Sequence, residues 1–293
     1  MPGQLKEVRN RIASVQSTQQ ITKAMKMVSA AKLRRAQESI LQMRPYAQKL
    51  QEMLSNIVSN IEGGADLKLA EERQVEKVLL IVITSDRGLA GAYNANIVKL
   101  AKLTIAEKYS QQLSKGNITI WGIGKKGYES FAKAGYKTSA DYKDIFLNLK
   151  FENVQAASQV AMKAFENKEF DAVELVYSEF KNAATQRFVV EQFLPIPKVQ
   201  QKKGGKKADF IFEPAKEELI AVMMPKILNT QLYKAVLDAN ASEHGARMTA
   251  MDKASDNANE LLKTLRVSYN RARQAAITTE LTEIVSGAAA LQG

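Results

Sequence analysis

The side chains best spaced for chemistry lie in two glycine-centred segments. Trp121–Gly127 reads WGIGKKG and carries the G-x-G-x-x-G spacing that, after a strand, lets a backbone wrap a pyrophosphate. Asp141 even stands where a ribose-binding carboxylate would. Three features argue that the spacing is accidental. The fingerprint belongs on the first strand, the helix that follows here is short, and Lys125 and Lys126 crowd its first turn. The other segment, Ser85–Asn94 (SDRGLAGAYN), sits at the carboxyl end of the first strand, where α/β proteins place ligands. It lacks the GxxxxGK phosphate loop, and the chain's one histidine, His244, permits neither a Ser-His-Asp arrangement nor a multi-histidine metal site. Gly88 and Gly91 read as a tight strand-to-helix turn, with Asp86 and Arg87 pairing or capping. Without cysteine there is no thiol catalysis, disulfide or thiolate metal site. No catalytic residue, metal site or cofactor site is expected anywhere in the chain.

Function must then rest on the long elements. From Met248 a stripe of small or apolar residues recurs at Met251, Ser255, Ala258, Leu262, Leu265, Tyr269, Ala272, Ala276 and Thr279, alternating three and four apart. That is the repeat of a coiled-coil seam. In LTEIVSGAAAL, Leu281–Leu291, the stripe dissolves, apolar residues appear on every face, and Glu283 is the only charge. A helix apolar all round is buried all round, so Ile277, Leu281, Ile284, Val285 and Leu291 are expected to enter a partner. At ~100° per residue, Gln274 and Thr278 lie about 40° apart and nearly opposite Ala272 and Ala276, with Arg273 at their flank. These three collar the apolar tip.

The first helix is expected over residues 1–62, with a linker at 63–76 beginning at Gly63 and Gly64. Leu5, Val8, Ile12 and Val15 open a three-four repeat that next meets the polar Gln19, Thr22, Lys26 and Ser29. A second apolar set, Ile21, Met25 and Val28, suggests a shift of phase before Leu33, Ala36, Ile40 and Met43. An imperfect seam with a kink near Pro45 is expected. Residues 77–212 alternate strand and helix. Val78–Thr84 (VLLIVIT) reads as a strand buried on both faces, and Ile118–Trp121 and Ala172–Tyr177 as further strands. Helices are expected at Ala92–Ser110, Lys125–Lys133 and Asn153–Asn167, and Gln186–Leu194 as the return of a hairpin turning at Asn182–Thr185. This is a Rossmann-like α/β domain with a mainly parallel sheet. Residues 213–293 form the last helix, begun at Pro214 and kinked at Pro225. The economical arrangement is a long antiparallel coiled coil of the two terminal helices beside the α/β domain, since such helices are stable only with a buried face.

The net charge of +11 is uneven: residues 1–60 hold ten Lys or Arg against three Glu, while Phe210 onward holds nine basic and ten acidic residues. An acidic protein surface or a nucleic acid would answer the first segment, as would plain solvation. The basic loop Lys198–Lys207, with KKGGKK at Lys202–Lys207, reads as a soluble loop tip. No eighteen-residue apolar run spans a bilayer, and Met1–Arg11 lacks a signal peptide's apolar core. A cytoplasmic product is expected.

Ala246–Leu291, Ile12–Gln37 (IASVQSTQQITKAMKMVSAAKLRRAQ) and Thr84–Asn94 (TSDRGLAGAYN) resemble the gamma subunit family of rotary ATP synthases, in the right order over essentially the whole length. Between about Gln111 and Phe212 only the layout agrees. The resemblance implies a central shaft turning inside three alpha and three beta subunits, with the epsilon subunit and the membrane c-ring at its foot. It implies no covalent chemistry, no nucleic acid, indirect membrane association and a peripheral place on the cytoplasmic face of the bacterial inner membrane. Carried onto this chain, the beta-subunit contacts are Arg273, Gln274 and Thr278, with Lys23, Met25 and Lys26 on the first helix. Ala90 replaces the cysteine of many relatives, and without cysteine the chloroplast thiol switch is excluded. The main rival is a coiled-coil scaffold or tether binding nucleic acid or an acidic partner. A dinucleotide-dependent enzyme comes third.

Overall fold

The computed structural model describes residues 2–59, 68–196 and 216–292. Gly63, Gly64, Pro214 and the Lys202–Lys207 loop lie outside the described residues. The chain forms two compact units, one of residues 30–247 and one of residues 1–29 with 248–293.

The larger unit is built on β1 (Val78–Ile83), every residue of which is buried. Its β-branched run fits a pleat covered on both faces. Val78, Leu80 and Val82 point into one core, with Tyr93, Ile97, Ala101 and Ile105 from α2 (Tyr93–Lys108). Those four α2 residues recur every fourth position and make one apolar face. Leu79, Ile81 and Ile83 point into the other core. A short helix α3 (Ser110–Ser114) follows α2, then β2 (Ile118–Ile123), α4 (Lys125–Lys133), β3 (Lys137–Ser139), α5 (Phe151–Glu166), β4 (Ala172–Phe180) and β5 (Gln186–Leu194). The strand order is β3-β2-β1-β4-β5, parallel except for β5, which runs antiparallel to β4. β3 was not legible in the sequence: its three residues KTS carry no apolar alternation. Asn182 turns the hairpin by accepting the backbone N–H groups of Ala184 and Thr185 at 3.0 and 2.7 Å.

Two long helices frame this order, α1 (Pro2–Ser59) and α6 (Lys216–Gln292). The helical backbone continues through Pro45 and Pro225. Around Pro225, burial of Met223, Met224 and Leu228 offsets the roughly 3 kcal/mol that an internal proline costs. From Met223 to Ala239, α6 covers the second core beside α5.

In the smaller unit the two helices run antiparallel. Arg9 meets Tyr269, Gln19 meets Asn259, Thr22 meets Ser255 and Lys26 meets Asp252, so residue numbers rise on one helix as they fall on the other. The predicted shift of phase on α1 does not occur. Ile21 and Val28 are each 57% exposed, whereas Thr22 and Ser29 are buried and Gln19 and Lys26 half-buried. One unbroken repeat therefore faces inward in this unit, Leu5, Val8, Ile12, Val15, Gln19, Thr22, Lys26 and Ser29, and in the larger unit Leu33, Ala36 and Ile40 are buried and Met43 half-buried. The apolar pattern misled because polar residues of the facing helix satisfy Gln19, Thr22 and Lys26, while Ser29 donates to the Met25 carbonyl of its own helix. Buried polar groups cost little once hydrogen-bonded.

The Thr22 and Ser255 hydroxyls lie 2.7 Å apart. Each also reaches a carbonyl of its own helix, Gln19 at 3.0 Å and Met251 at 2.8 Å. With one proton each, one hydroxyl donates across the seam and the other back to its helix. Thr22→Val alone and Ser255→Ala alone should each lower stability by about 1 kcal/mol, while the double variant should fall well short of their sum. Urea unfolding of the four proteins measures this. Strictly additive losses would show that the two hydroxyls do not act together.

Candidate functional site

Of the residues expected to meet a partner on α1, Lys23 is exposed and Met25 is half-buried, its carbonyl accepting the Ser29 hydroxyl at 2.8 Å. Lys26 is held in an ion pair with Asp252 across the seam. Its charge is thus partly answered within the chain, and Lys23 is the more open cation of the two.

On α6, Arg273, Gln274 and Thr278 are all exposed, while Ala272 and Ala276 are half-buried on the seam side. Thr278, Thr279 and Thr282 each donate their hydroxyl to the carbonyl four residues back, at 2.9, 3.0 and 2.8 Å. Thr278 therefore offers an acceptor oxygen outward. The Arg273 guanidinium and the Gln274 amide supply the donors, a set suited to carbonyls and carboxylates. Beyond them Ile277, Leu281, Ile284 and Val285 are 46, 57, 67 and 66% exposed. At ~100° per residue these four gather within about 100° of the helix, so the large apolar side chains form a stripe and alanines complete the other faces. The side chain of Leu291 lies outside the described residues.

The two glycine-centred segments spend their polar groups on the protein. At the start of α4, the backbone N–H of Lys125 donates to Asp86 Oδ1 at 3.3 Å, that of Lys126 to the Ser85 carbonyl at 3.0 Å, and that of Gly127 to Thr84 Oγ1 at 2.7 Å. Those are the donors a phosphate would need. Gly124 has φ of 97°, and a Cβ there would stand 2.3 Å from the Thr84 carbonyl. Glycine is required for packing α4 on the end of β1. The ring of SDRGLAGAYN closes through Asn94, whose Oδ1 accepts the Ser85 N–H at 3.0 Å. Burial raises the Asp86 carboxyl, with the Lys125 N–H pulling the other way.

Sequence reasoning missed what fastens this loop. Arg247 on α6 donates to the carbonyl of Arg87 at 3.1 Å and of Gly88 at 3.4 Å, and pairs with Glu243 at 2.6 Å. Both side chains are buried. Burial raises the Glu243 carboxyl, and the Arg247 guanidinium offsets part of that. The available signal was an acid four residues before a base on a predicted helix. Tyr93 adds a second fastening, its hydroxyl donating to the Ala239 carbonyl at 2.9 Å.

Among the described residues no group of His, Asp and Glu is arranged to hold a metal, and no helix is long and apolar enough to cross a membrane. A family model described as ATP synthase matches residues 4–291. The chain is 56% identical over 295 residues to an ATP synthase gamma chain of Cytophaga hutchinsonii, with 99% of each covered. It is 50% identical to that of Flavobacterium johnsoniae, again with 99% of each covered. Among solved structures it resembles a chain of the central stalk and c-ring of the Tetrahymena thermophila mitochondrial ATP synthase. That match is 25% identical with a TM-score of 0.56, covering 80% of this chain and 99% of the other. A rotor chain of the Euglena gracilis mitochondrial enzyme shares the fold, with 20% identity, a TM-score of 0.65 and coverage of 94 and 100%.

His244 packs beside the clamp, its Nδ1 3.4 Å from an Arg247 nitrogen. Burial first, then the charges of Arg247 and Lys32, lower its pKa to about 4. A base depressed in the fold contributes stability above its unfolded value of about 6.5, and that contribution is lost as pH falls toward 4. As the only histidine, it gives one imidazole C2 proton resonance, whose midpoint should lie near pH 4 and rise in Arg247→Met. A midpoint near 6.5 in the folded protein would exclude the burial seen here.

Proposed function

The chain belongs to the ATP synthase gamma family, and we propose that Arg273, Gln274 and Thr278, with Lys23, Met25 and Lys26 on α1, form the surface through which it drives the beta subunits. It is the central rotor shaft, coupling ion flow across a membrane to ATP synthesis or hydrolysis at the beta subunits. Three alpha and three beta subunits surround it, and the epsilon subunit and the membrane c-ring are its partners at the foot. It takes no covalent part in the reaction. Its place is peripheral, on the cytoplasmic face of a bacterial inner membrane, held there by the ring.

The observation that carries the contact reading is the uncovered tip. Four large apolar side chains stand on a helix end that the rest of the described residues leave bare. Their burial in a ring of apolar side chains stabilises the seated shaft by about 25 cal/mol per Å2 removed from water. Ile277, Leu281, Ile284, Val285 and Leu291 would turn against that collar without directional bonds to break. Just below it, the donors of Arg273 and Gln274 reach outward to beta-subunit loops.

Rotation works by stabilising one beta conformation over another as the shaft's faces pass. Shifting a two-state equilibrium from 1:99 to 99:1 requires about 5.5 kcal/mol of differential interaction. Three polar contacts at roughly 1 kcal/mol each fall short of that. The remainder comes from shape, including the apolar Ile21 and Val28 that α1 turns outward.

Gln274→Ala with Thr278→Ala should therefore weaken ATP-driven ion pumping several-fold without abolishing it, and leave the helical circular dichroism unchanged. Undiminished torque in single-molecule rotation would refute the contact assignment. Mixed with cognate alpha and beta subunits, the chain should elute as one copy per six-subunit ring with strongly raised ATPase activity. Elution as a free chain with no change in ATPase would refute the shaft reading itself.

A further inference from the structure

Helix α2 spends one face on the core, through Tyr93, Ile97, Ala101 and Ile105, and the described residues leave a second face uncovered. On that face Ala95, Val98 and Leu103 form one wall of a groove of about 530 Å3, and Lys126 and Ser130 of α4 form the other. Both helices lie on the same side of the sheet, where Ile97 and Phe131 share a core. Ala95 is exposed, Val98 is half-buried and Leu103 is 44% exposed, so apolar surface stays wet along the groove.

The charge around it has one sign. Lys99, Lys102 and Lys126 line the groove, and among the described residues no carboxylate does. Other lysines of these two helices are answered within the chain. Lys126 pairs with Glu129 at 2.8 Å and Lys125 with Asp144 at 3.2 Å. Lys108, at the end of α2, is held by Glu174, which also accepts the Tyr109 hydroxyl at 2.7 Å. Lys99 and Lys102 are exposed, one turn apart on α2, and neither forms an ion pair with a described residue. Like charges at that spacing repel, so an anion set between them removes a strain as well as gaining a partner. The walls are shallow, since Ala95, Lys99, Lys102 and Leu103 are all exposed. A small ligand needs enclosure over most of its surface, which such walls do not give. A protein segment brings its own cover. Apolar residues flanked by cations at helical spacing are matched by a helix whose carboxylates flank an apolar stripe.

We propose that the groove between α2 and α4 docks an acidic amphipathic helix of a partner protein, its apolar residues on Val98 and Leu103 and its carboxylates on Lys99 and Lys102. The surface uses none of the residues assigned above to the beta subunits, so its test is independent of that assignment. The probe is a fluorescein-labelled peptide of about 15 residues, long enough to turn helical on binding, with leucines at helical spacing between glutamates. Fluorescence anisotropy with the full chain should show saturable binding that weakens as salt is added. Lys99→Glu with Lys102→Glu should weaken it at least tenfold, and Leu103→Ser several-fold. Lys150→Glu with Lys163→Glu makes the same change of charge at α5, on the opposite side of the sheet, and should shift it by less than about twofold. All five side chains are exposed, so each variant should keep its fold, which circular dichroism checks. No saturable binding, equal losses in the two charge-reversed proteins, or unchanged affinity in Leu103→Ser overturns the proposal. Saturable binding of octanoate at Lys99 and Lys102 with none of the peptide assigns the groove to a small amphiphile and overturns it as well. Dimerisation of the chain in sedimentation that is abolished by Lys99→Glu with Lys102→Glu assigns it to a second copy, with the same consequence.

Discussion

A helix of 77 residues holds its shape in water only while one stripe along it stays covered. In this protein the cover changes along the way. From Met223 to Ala239 it is a sheet and its helix, so α6 offers bulky methionines and leucines as well as alanines. From Met251 to Leu265 it is a single facing helix, and the stripe narrows to one residue every three or four. The whole plan follows from that demand. α1 must be long because α6 is long, and the chain must return to its own beginning for the two to pair.

A seam of apolar residues alone would accept several alignments, since one heptad looks like the next. The stretch from Gln19 to Lys26 does not, because Gln19, Thr22 and Lys26 each meet one complementary group on α6. Directional bonds thus set the stagger, as a single buried polar pair does in other coiled coils. In the larger unit, Arg247 and Glu243 act similarly on the β1–α2 loop. Arg247, held by Glu243, donates to its carbonyls although Leu89 sits at φ of 63°, a left-handed conformation that costs an ordinary residue about 1–2 kcal/mol.

Most elements of the α/β region, though not β3 or α3, were legible because β1 announces itself by an unbroken β-branched run, and α2 and α5 by their spacing. The seam of α6 was legible for the same reason. The seam of α1 was not, because reading apolar periodicity treats Thr22 and Ser29 as outward and Ile21 and Val28 as inward, whereas Thr22 bonds across to Ser255 and Ser29 back to the Met25 carbonyl, so both can be buried. Arg273, Gln274 and Thr278 could be placed on a face from spacing alone, but the inward turn of the Thr278 proton could not. Arg247 and Glu174 were invisible. Their partners stand 160 and 65 positions away, and no local pattern encodes such a pairing.

The bare stripe at the end of α6 also bears on how the protein is made. Ile277, Leu281, Ile284 and Val285 stay wet for as long as a copy waits for its ring, and two waiting copies can hide them against each other. Supply must therefore match demand. A cell that made this chain in excess of its partners would hold copies whose apolar stripes can adhere to one another.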